Sequence, residues 1–289
     1  MTLTFLKSIR LLPIEQALRN SGPSEGVPLH SRRRGRLSSV AVNLGKPLPL
    51  IAGFAVIVAV WQVAVIVFKP DAAVLPTPAA TAHTFWSLLI SGELLEDARI
   101  SIMRVMAAWL ISGAIAIPLG LAMGWSRRIE RLIDPLIEIF RPISPMAWIP
   151  LAILWFGINE PGKIFVVCIA TFFPTLLATI DGVKRIDRVL IHAGQVLGCT
   201  DNASLFRKVI LPAAFPSILV GLRISFGTGW AAIIAAELVA ARSGLGFLIA
   251  NGMDILRADK VIVGMGMIGL LGVCFDAAFR YISRKAAWS

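Results

Sequence analysis

Long apolar runs alternate with short polar segments along most of this chain. Six runs are long enough to be membrane spans, because about 20 apolar residues cross roughly 30 Å of hydrocarbon. They are 48–68, 102–125, 132–156, 162–181, 213–241 and 260–281. Backbone groups in lipid must bond within their own segment, and no run alternates as a membrane strand would. The pattern therefore predicts an all-α integral membrane protein with about six transmembrane helices.

A polar segment interrupts this pattern between the fourth and fifth runs, and it reads LIHAGQVLGCTDNASLFRKVILPAAFP over 190–216. Its periodicity predicts two short helices, 190–198 and 203–210, the second capped by Asp201 or Asn202. Leu211-Pro212 is predicted to stop the second helix and to start the next span. The small residues Gly194 and Gly198 favour docking against another protein over contact with lipid alone.

The charges give the chain an orientation. Only 16% of residues are charged, against roughly 25% in soluble proteins. The net charge is +11, and Lys and Arg concentrate in the segments 1–46, 126–131, 182–212 and 282–289. Such a bias is typical of cytoplasmic segments, so it places both termini and the loop at about 186–212 in the cytoplasm of a multi-pass protein. It also explains the basicity without a nucleic-acid partner.

Two regions follow from the same pattern. Residues 1–46 carry the cluster RRRGR and three prolines, and we interpret them as a cytoplasmic tail that is mostly loosely ordered. Residues 47–289 are the transmembrane domain. The first apolar run begins too far along the chain for a secretory signal.

The third predicted span contains RPISPMAWIP at 141–150, with three prolines. Each proline removes a hydrogen-bond donor and crowds the preceding turn, so this helix should be kinked or interrupted. Such a break fits either the lining of a cavity or a kinked helix that only packs.

Charged residues within the spans mark a candidate pathway, because a charge at membrane depth usually faces a bundle interior or an aqueous path. Arg141 and Arg223 could line a path for an anion, and Glu138 and Glu237 could neutralise them. The alternative is a set of structural ion pairs or snorkelling side chains. The candidate pathway residues are Arg141, Ser144, Trp148, Arg223, Thr228 and Glu237.

Other chemistry finds little support in the sequence. The cysteines Cys168, Cys199 and Cys274 form no paired motif, the three histidines are scattered, and we expect no metal site. The chain has no Gly-x-x-x-x-Gly-Lys-Ser/Thr phosphate loop, so it is not expected to hydrolyse ATP. An intramembrane enzyme would need a histidine at membrane depth, and none is predicted there.

The polar segment resembles the cytoplasmic "EAA" loop of importer-type ABC transporter permeases. That pattern is Glu-Ala-Ala, three residues, Gly, about nine residues, Ile, any residue and Leu-Pro. His192-Ala193-Gly194, Gly198 and Leu211-Pro212 occupy these places. His192 and Gly194 depart from the pattern, and the interval from Gly198 to Leu211 is one residue longer.

The resemblance extends over about 48–289. DPLIEIFRPISPMAWIPLAILWFGI, LPAAFPSILVGLRISFG and AAELVAARSGLGFLIANG resemble the nitrate, sulfonate, taurine and bicarbonate branch of this family. AAELVAARSGLGF and RYISRKAAW are most similar to taurine or aliphatic sulfonate permeases. A nitrate or bicarbonate permease of the same branch is the alternative.

The resemblance implies the type I importer permease fold in a bacterial inner membrane and a set of partners. These are a second copy of the permease, two cytoplasmic ATPase subunits that hold ATP and Mg²⁺, and a periplasmic or lipid-anchored solute-binding protein. It implies no cofactor in this chain. The residues implied to contact the ATPase are His192, Ala193, Gly194, Gly198, Asp201, Phe206, Arg207, Leu211 and Pro212. A stand-alone secondary transporter or channel is the alternative from another class, although the sequence shows no inverted repeat.

Overall fold

The computed structural model describes residues 47–71, 73–199 and 201–286, so the predicted tail at 1–46 lies outside the described residues. All regular elements in this part of the chain are helical. They are α1 (Pro47–Phe68), α2 (Pro78–Ile90), α3 (Glu93–Trp125), α4 (Arg127–Phe140), a 3₁₀ turn (Pro145–Trp148), α5 (Ile149–Phe156), α6 (Glu160–Lys184), α7 (Arg188–Val196), α8 (Asn202–Leu205), a π turn (Phe206–Ile210), α9 (Leu211–Ala240), α10 (Leu245–Asp254) and α11 (Ala258–Ala286).

Helices α3, α6 and α9 form the core of the unit that begins at Gly53. Glycines let these helices approach closely, as is common where spans pack without a hydrophobic driving force. A Cβ at Gly120 would lie 2.7 Å from Thr179 Cβ, and one at Gly182 would lie 2.7 Å from Ser217 Cβ. The hydroxyls of Thr171, Thr175 and Thr179 donate to carbonyls one turn back, so they leave no unpaired donor in the contact. This sequence of small residues therefore builds a rigid three-helix core.

The number of predicted spans is close to the number of long apolar helices, but several predicted boundaries differ from the observed ones. Four helices are long and apolar enough to cross a membrane, and a bent pair adds a fifth. The run 48–68 lies within α1, whose stretch Ala55–Phe68 is a shorter apolar helix. Helix α3 begins at Glu93, nine residues before the predicted start at 102. The added turns carry charged residues that the hydropathy pattern assigns to a loop.

The third predicted span is interrupted, as its prolines indicate. Residues 132–156 do not form one helix, because α4 and the segment Pro145–Phe156 meet at 82°. Residues 141–144 connect them, since Pro142 and Pro145 each lack the amide that would continue a helix. The break leaves Arg141 and Ser144 exposed at the bend.

The prediction that Leu211-Pro212 ends a helix is wrong. Residues Asn202–Ala240 form one continuous helix of 39 residues, which includes α8, the π turn and α9. The π turn Phe206–Ile210 ends two residues before Pro212. Its wider backbone accommodates a residue that cannot donate an amide and whose ring crowds the preceding carbonyls. The polar loop is consequently a rigid extension of a span.

Candidate functional site

The first half of the polar loop is α7. A side-chain cap begins this helix, and a glycine turn ends it. Asp187 Oδ1 accepts from the Val189 amide at 2.9 Å and caps the N-terminus. At the other end, Gly198 has φ +97°, a conformation that other residues rarely adopt. There the Cys199 amide donates to the Gly194 carbonyl at 3.0 Å, and Cys199 is buried. These contacts fold the chain back toward α8.

The inner face of α7 packs on the helix that follows it. A Cβ at Gly194 would lie 2.7 Å from Val209 Cγ2 and 3.3 Å from Leu205 Cδ1. The small size of Gly194 therefore serves packing within this chain. Gly198 has no atom within 4 Å of such a position, so its backbone conformation is what the turn requires. The expectation that both glycines leave room for another surface is thus corrected.

The outer face of α7 is apolar and open. His192 and Ala193 are exposed, and His192 Nδ1 lies 3.3 Å from Gln195 Oε1. Val196 and Leu197 are 86% and 85% exposed. Exposed apolar side chains in a loop rich in Lys and Arg are typical of a protein contact. This face, consisting of Val189, His192, Ala193, Val196 and Leu197, is called the loop face below.

The second half of the loop begins with a cap. Asp201 Oδ2 accepts from the Ser204 amide at 2.9 Å. Hydrogen bonds from the side chain and the backbone of Ser204 lower the pKa of the Asp201 carboxyl. Phe206 and Arg207 line a groove of about 640 Å³ against the end of α3, where Pro118 and Trp125 contribute. Leu211 and Pro212 are exposed on the continuous helix.

The six candidate pathway residues do not form one cluster. No hydrogen bond or ion pair joins any two of them among the described residues. Arg141 and Ser144 are exposed at the break between α4 and α5. Trp148 packs between Phe140 and Phe165, with ring centroids 6.2 Å from each. Its buried indole nitrogen has no hydrogen-bond partner in the described part of the chain.

Arg223 and Thr228 have partners of their own on the neighbouring helices. Arg223 Nη2 lies 2.6 Å from Asp276 Oδ1 on α11. Asp276 therefore neutralises Arg223, and the predicted partners Glu138 and Glu237 do not. The Thr228 hydroxyl donates to the Ala170 carbonyl at 3.0 Å. Both residues stabilise contacts of α9 in this structure.

Glu237 lies at the centre of a buried polar cluster near the end of α9. Its carboxylate accepts from Ser101 Oγ at 2.8 Å, Arg104 Nη1 at 2.7 Å and the Gly246 amide at 3.0 Å. The Leu245 amide donates to Ser101 Oγ, and the Gly244 amide donates to Asp97 Oδ1. The N-terminus of α10 is thereby held by oxygen atoms from α3 and α9.

Arg104 connects this cluster to α6. It donates to both carboxylate oxygens of Glu160 and also to the carbonyl of Ser243. Lys163 donates to Glu160 as well. Sequence reasoning missed Arg104, Glu160 and Lys163, although Arg104 is a charge within the predicted span 102–125 and carried the same signal as Arg223.

The loop and the buried cluster lie at opposite ends of one helix. At 1.5 Å per residue, the helix Asn202–Ala240 is about 58 Å long, more than the thickness of a bilayer. A force applied to the loop face can therefore move the far end of α9 as a rigid body. The arrangement suits a membrane protein driven by a partner at one surface.

Known proteins share this sequence and fold. A family model described as a binding-protein-dependent transport system inner membrane component matches residues 116–288. A protein of Escherichia coli named as an aliphatic sulfonates transport permease is 41% identical over 228 residues, covering 79% of this chain and 86% of that protein. The taurine transport system permease protein of Escherichia coli is 34% identical over 266 residues, covering 89% of this chain and 94% of that protein.

A solved structure has a similar fold. An inward-facing form of the MetNI methionine ABC transporter aligns with a TM-score of 0.60 at 19% identity. The alignment covers 68% of this chain and 97% of that chain. The helix arrangement described above is thus that of a type I importer permease.

Proposed function

Because this chain belongs to the family of binding-protein-dependent transport system inner membrane components, we propose that it is the permease subunit of an ATP-driven importer of taurine or another aliphatic sulfonate. The substrate assignment rests on the named substrates of the two Escherichia coli relatives. Nitrate and bicarbonate remain the alternatives within the same branch.

The proposal that transport is coupled to ATP rests on one observation. The helix that carries the loop face, α7, packs on a helix that continues without a break into α9. An ATPase that receives this face transmits its motion through Asn202–Ala240 without an intervening hinge. Gly194 supports the transmission because it locks α7 onto Leu205 and Val209. Direct ATPase contacts are proposed for His192 and Ala193, with Arg207 beside the groove.

The assembly that fits this role contains two copies of the permease, two cytoplasmic ATPase subunits and a solute-binding protein. ATP and Mg²⁺ belong to the ATPase subunits. The positive loop and both termini face the cytoplasm, as the distribution of Lys and Arg favours. The end that holds Glu237 then faces the side from which the binding protein delivers substrate.

The proposed pathway follows the broken helix. Arg141 and Ser144 are exposed at the bend, so a positive charge and a hydroxyl donor can meet a sulfonate there. Trp148 ends the 3₁₀ turn that follows the bend, and it offers an indole donor when its packing against Phe140 and Phe165 opens. Arg223 and Glu237 are proposed as structural residues and not as direct contacts of the substrate, since Asp276 and Arg104 compensate their charges.

Uptake by the complete assembly tests the proposal. Proteoliposomes containing the permease, its ATPase and its binding protein are supplied with labelled taurine, ethanesulfonate, nitrate or bicarbonate. ATP-dependent uptake of a sulfonate is expected, and it should be absent without the ATPase. Uptake of nitrate or bicarbonate alone would reassign the substrate, and uptake without the ATPase would indicate a secondary transporter.

A further inference from the structure

Two buried cations converge on one exposed carboxylate at the start of α6. Arg104 holds Glu160 through two parallel bonds, Nε to Oε2 at 2.6 Å and Nη2 to Oε1 at 2.6 Å. Lys163 Nζ donates to the same Oε1 at 2.9 Å. Arg104 and Lys163 are 5% and 6% exposed, whereas the Glu160 side chain is 55% exposed. The cations are therefore enclosed and the carboxylate is accessible.

Arg104 is also fixed in place independently of Glu160. Arg104 Nη1 donates to Glu237 Oε1 and to the Ser243 carbonyl, both at 2.7 Å. Lys163 lies on α6, within the three-helix core, and Glu160 is its one hydrogen-bond partner among the described residues. Movement of the Glu160 side chain would leave Arg104 Nε and Nη2 oriented toward the vacated position, with the buried Lys163 ammonium beside them, and would require no movement of a helix.

The charge balance of the cluster favours an anion in that place. Without Glu160, Glu237 would be the one carboxylate paired with either cation in the described part of the chain. Asp97 is near, but its Oδ1 accepts from the Gly244 amide and it forms no ion pair there. A buried, unpaired ammonium or guanidinium is costly, and the planar fork of Arg fits two oxygens of a carboxylate or another oxyanion.

The cluster lies at the end of the core opposite the loop face. Helix α6 runs from Glu160 to Lys184, about 37 Å at 1.5 Å per residue, and Lys184 adjoins the loop. If the loop is cytoplasmic, Glu160 lies at the end where an importer receives its substrate.

We propose that Arg104 and Lys163 form an anion-binding site at the entry end, which Glu160 occupies at rest and from which an incoming oxyanion displaces it. The chemical class follows from the two donors and their geometry. The assignment of this end as the entry end and the identification of the oxyanion with a transported sulfonate rest on the proposed function.

Binding of methanesulfonate to the permease–ATPase complex in lipid nanodiscs tests the proposal. The binding protein is omitted, so the measured affinity belongs to the membrane complex. Glu160→Gln removes the internal competitor, and we expect it to bind labelled methanesulfonate at least fivefold more tightly than the wild type. Glu160→Asp keeps the charge on a shorter side chain and should fall between the two. Lys163→Gln should bind at least fivefold more weakly than the wild type.

The matched control is Glu96→Gln. Glu96 also forms an exposed ion pair near this end of the core, with Arg99, and its side chain is 54% exposed. Its substitution should leave methanesulfonate binding unchanged. Equal affinities for the wild type, Glu160→Gln and Glu160→Asp would overturn the site, as would an equal gain in Glu96→Gln. If Glu160→Gln does not assemble, the methanesulfonate affinities of Glu160→Asp and Lys163→Gln still test the site.

The test separates this site from the proposed function. Sulfonate uptake with no effect at Glu160 or Lys163 would reject the site alone. The expected binding changes together with uptake of a different oxyanion would reject the sulfonate assignment and keep the site.

Discussion

Arg104 Nη1 lies 2.7 Å from Glu237 Oε1, and this ion pair joins α3 to α9 across 133 positions of sequence. The two side chains are 5% and 0% exposed. The Glu237 carboxylate also accepts from Ser101 Oγ and from the Gly246 amide. The pair therefore fixes the far end of the helix whose other end carries the loop face.

Glu237→Gln is expected to destabilise the permease by about 1.5–3 kcal/mol, because Arg104 loses a buried charged acceptor and keeps only the half-exposed Glu160 as its counter-charge. The midpoint of thermal unfolding of the purified complex measures the loss. Glu96→Gln, in an exposed pair of the same helix, should leave the midpoint nearly unchanged. A wild-type midpoint for Glu237→Gln would show that the pair does not hold the helices.

Gly194→Ala should loosen the loop, because its Cβ would meet Val209 Cγ2 at 2.7 Å. Overpacking of this kind costs about 1–3 kcal/mol. Adding Val209→Ala removes the clashing carbon and should restore ATP-coupled uptake. Ala193→Val, on the exposed neighbour, is the control for thermal stability. If Val209→Ala gives no rescue, Gly194 has another role.

The effect of a substitution at Gly198 should depend on how readily the new residue adopts a positive φ. It should not depend on the size of the new side chain. At φ +97° a β-branched residue is strained by about 1–3 kcal/mol, while Asn adopts positive φ more readily. Gly198→Val should therefore impair coupled uptake more than Gly198→Asn. Hydrogen exchange of the amides in α7 measures the loosening directly. Equal protection in both variants would contradict this explanation.

Val196→Asp and Leu197→Asp should weaken ATPase binding at least tenfold and should leave the unfolding midpoint unchanged. Both side chains are exposed in the free subunit, so the charge is costly only where a partner covers it. Val74→Asp is the matched control, since Val74 is 73% exposed in a loop remote from α7. Affinity is measured by titration of the purified ATPase. Normal binding by both loop variants would remove the loop face as the docking surface.

The Asp201 cap should depend on pH. Because the folded pKa is lowered, the charged cap contributes fully above the unfolded pKa of about 3.9 and is lost as pH falls through the folded value. Asp201→Ala should increase hydrogen exchange of the Ser204 amide at pH 7, and Asp201→Asn should retain most of the protection. Protection that does not change while the Asp201 carboxyl titrates, as followed by its NMR chemical shift, would exclude a charged cap.

The sequence predicted the helices and the interrupted third span because both follow from local composition. Pro142 and Pro145 act on their own turns, so the break at Arg141 could be expected. The continuous helix through Leu211-Pro212 could not be predicted. The π turn before Pro212 accommodates the proline, and no residue pattern marks such a turn in the sequence.

The buried cluster was accessible to sequence reasoning in part. Glu237 stood out as a charge in an apolar run, and Arg104 carried the same signal. Their pairing could not be predicted, because it depends on how α3 packs on α9 through contacts far apart in sequence. Likewise, Gly194 stood out as a small residue, but only the packing shows that Val209 is its neighbour.

The π turn at Phe206–Ile210 has a consequence for the rotation of α9. One residue added to an α-helix turns everything beyond it by about 100°, which would point Glu237 away from Arg104. The interval between Gly198 and Leu211 is one residue longer than the family pattern, and a π turn takes up one residue more than an α turn. The π turn can therefore absorb the extra residue, so that Glu237 still faces Arg104 at the far end of the helix.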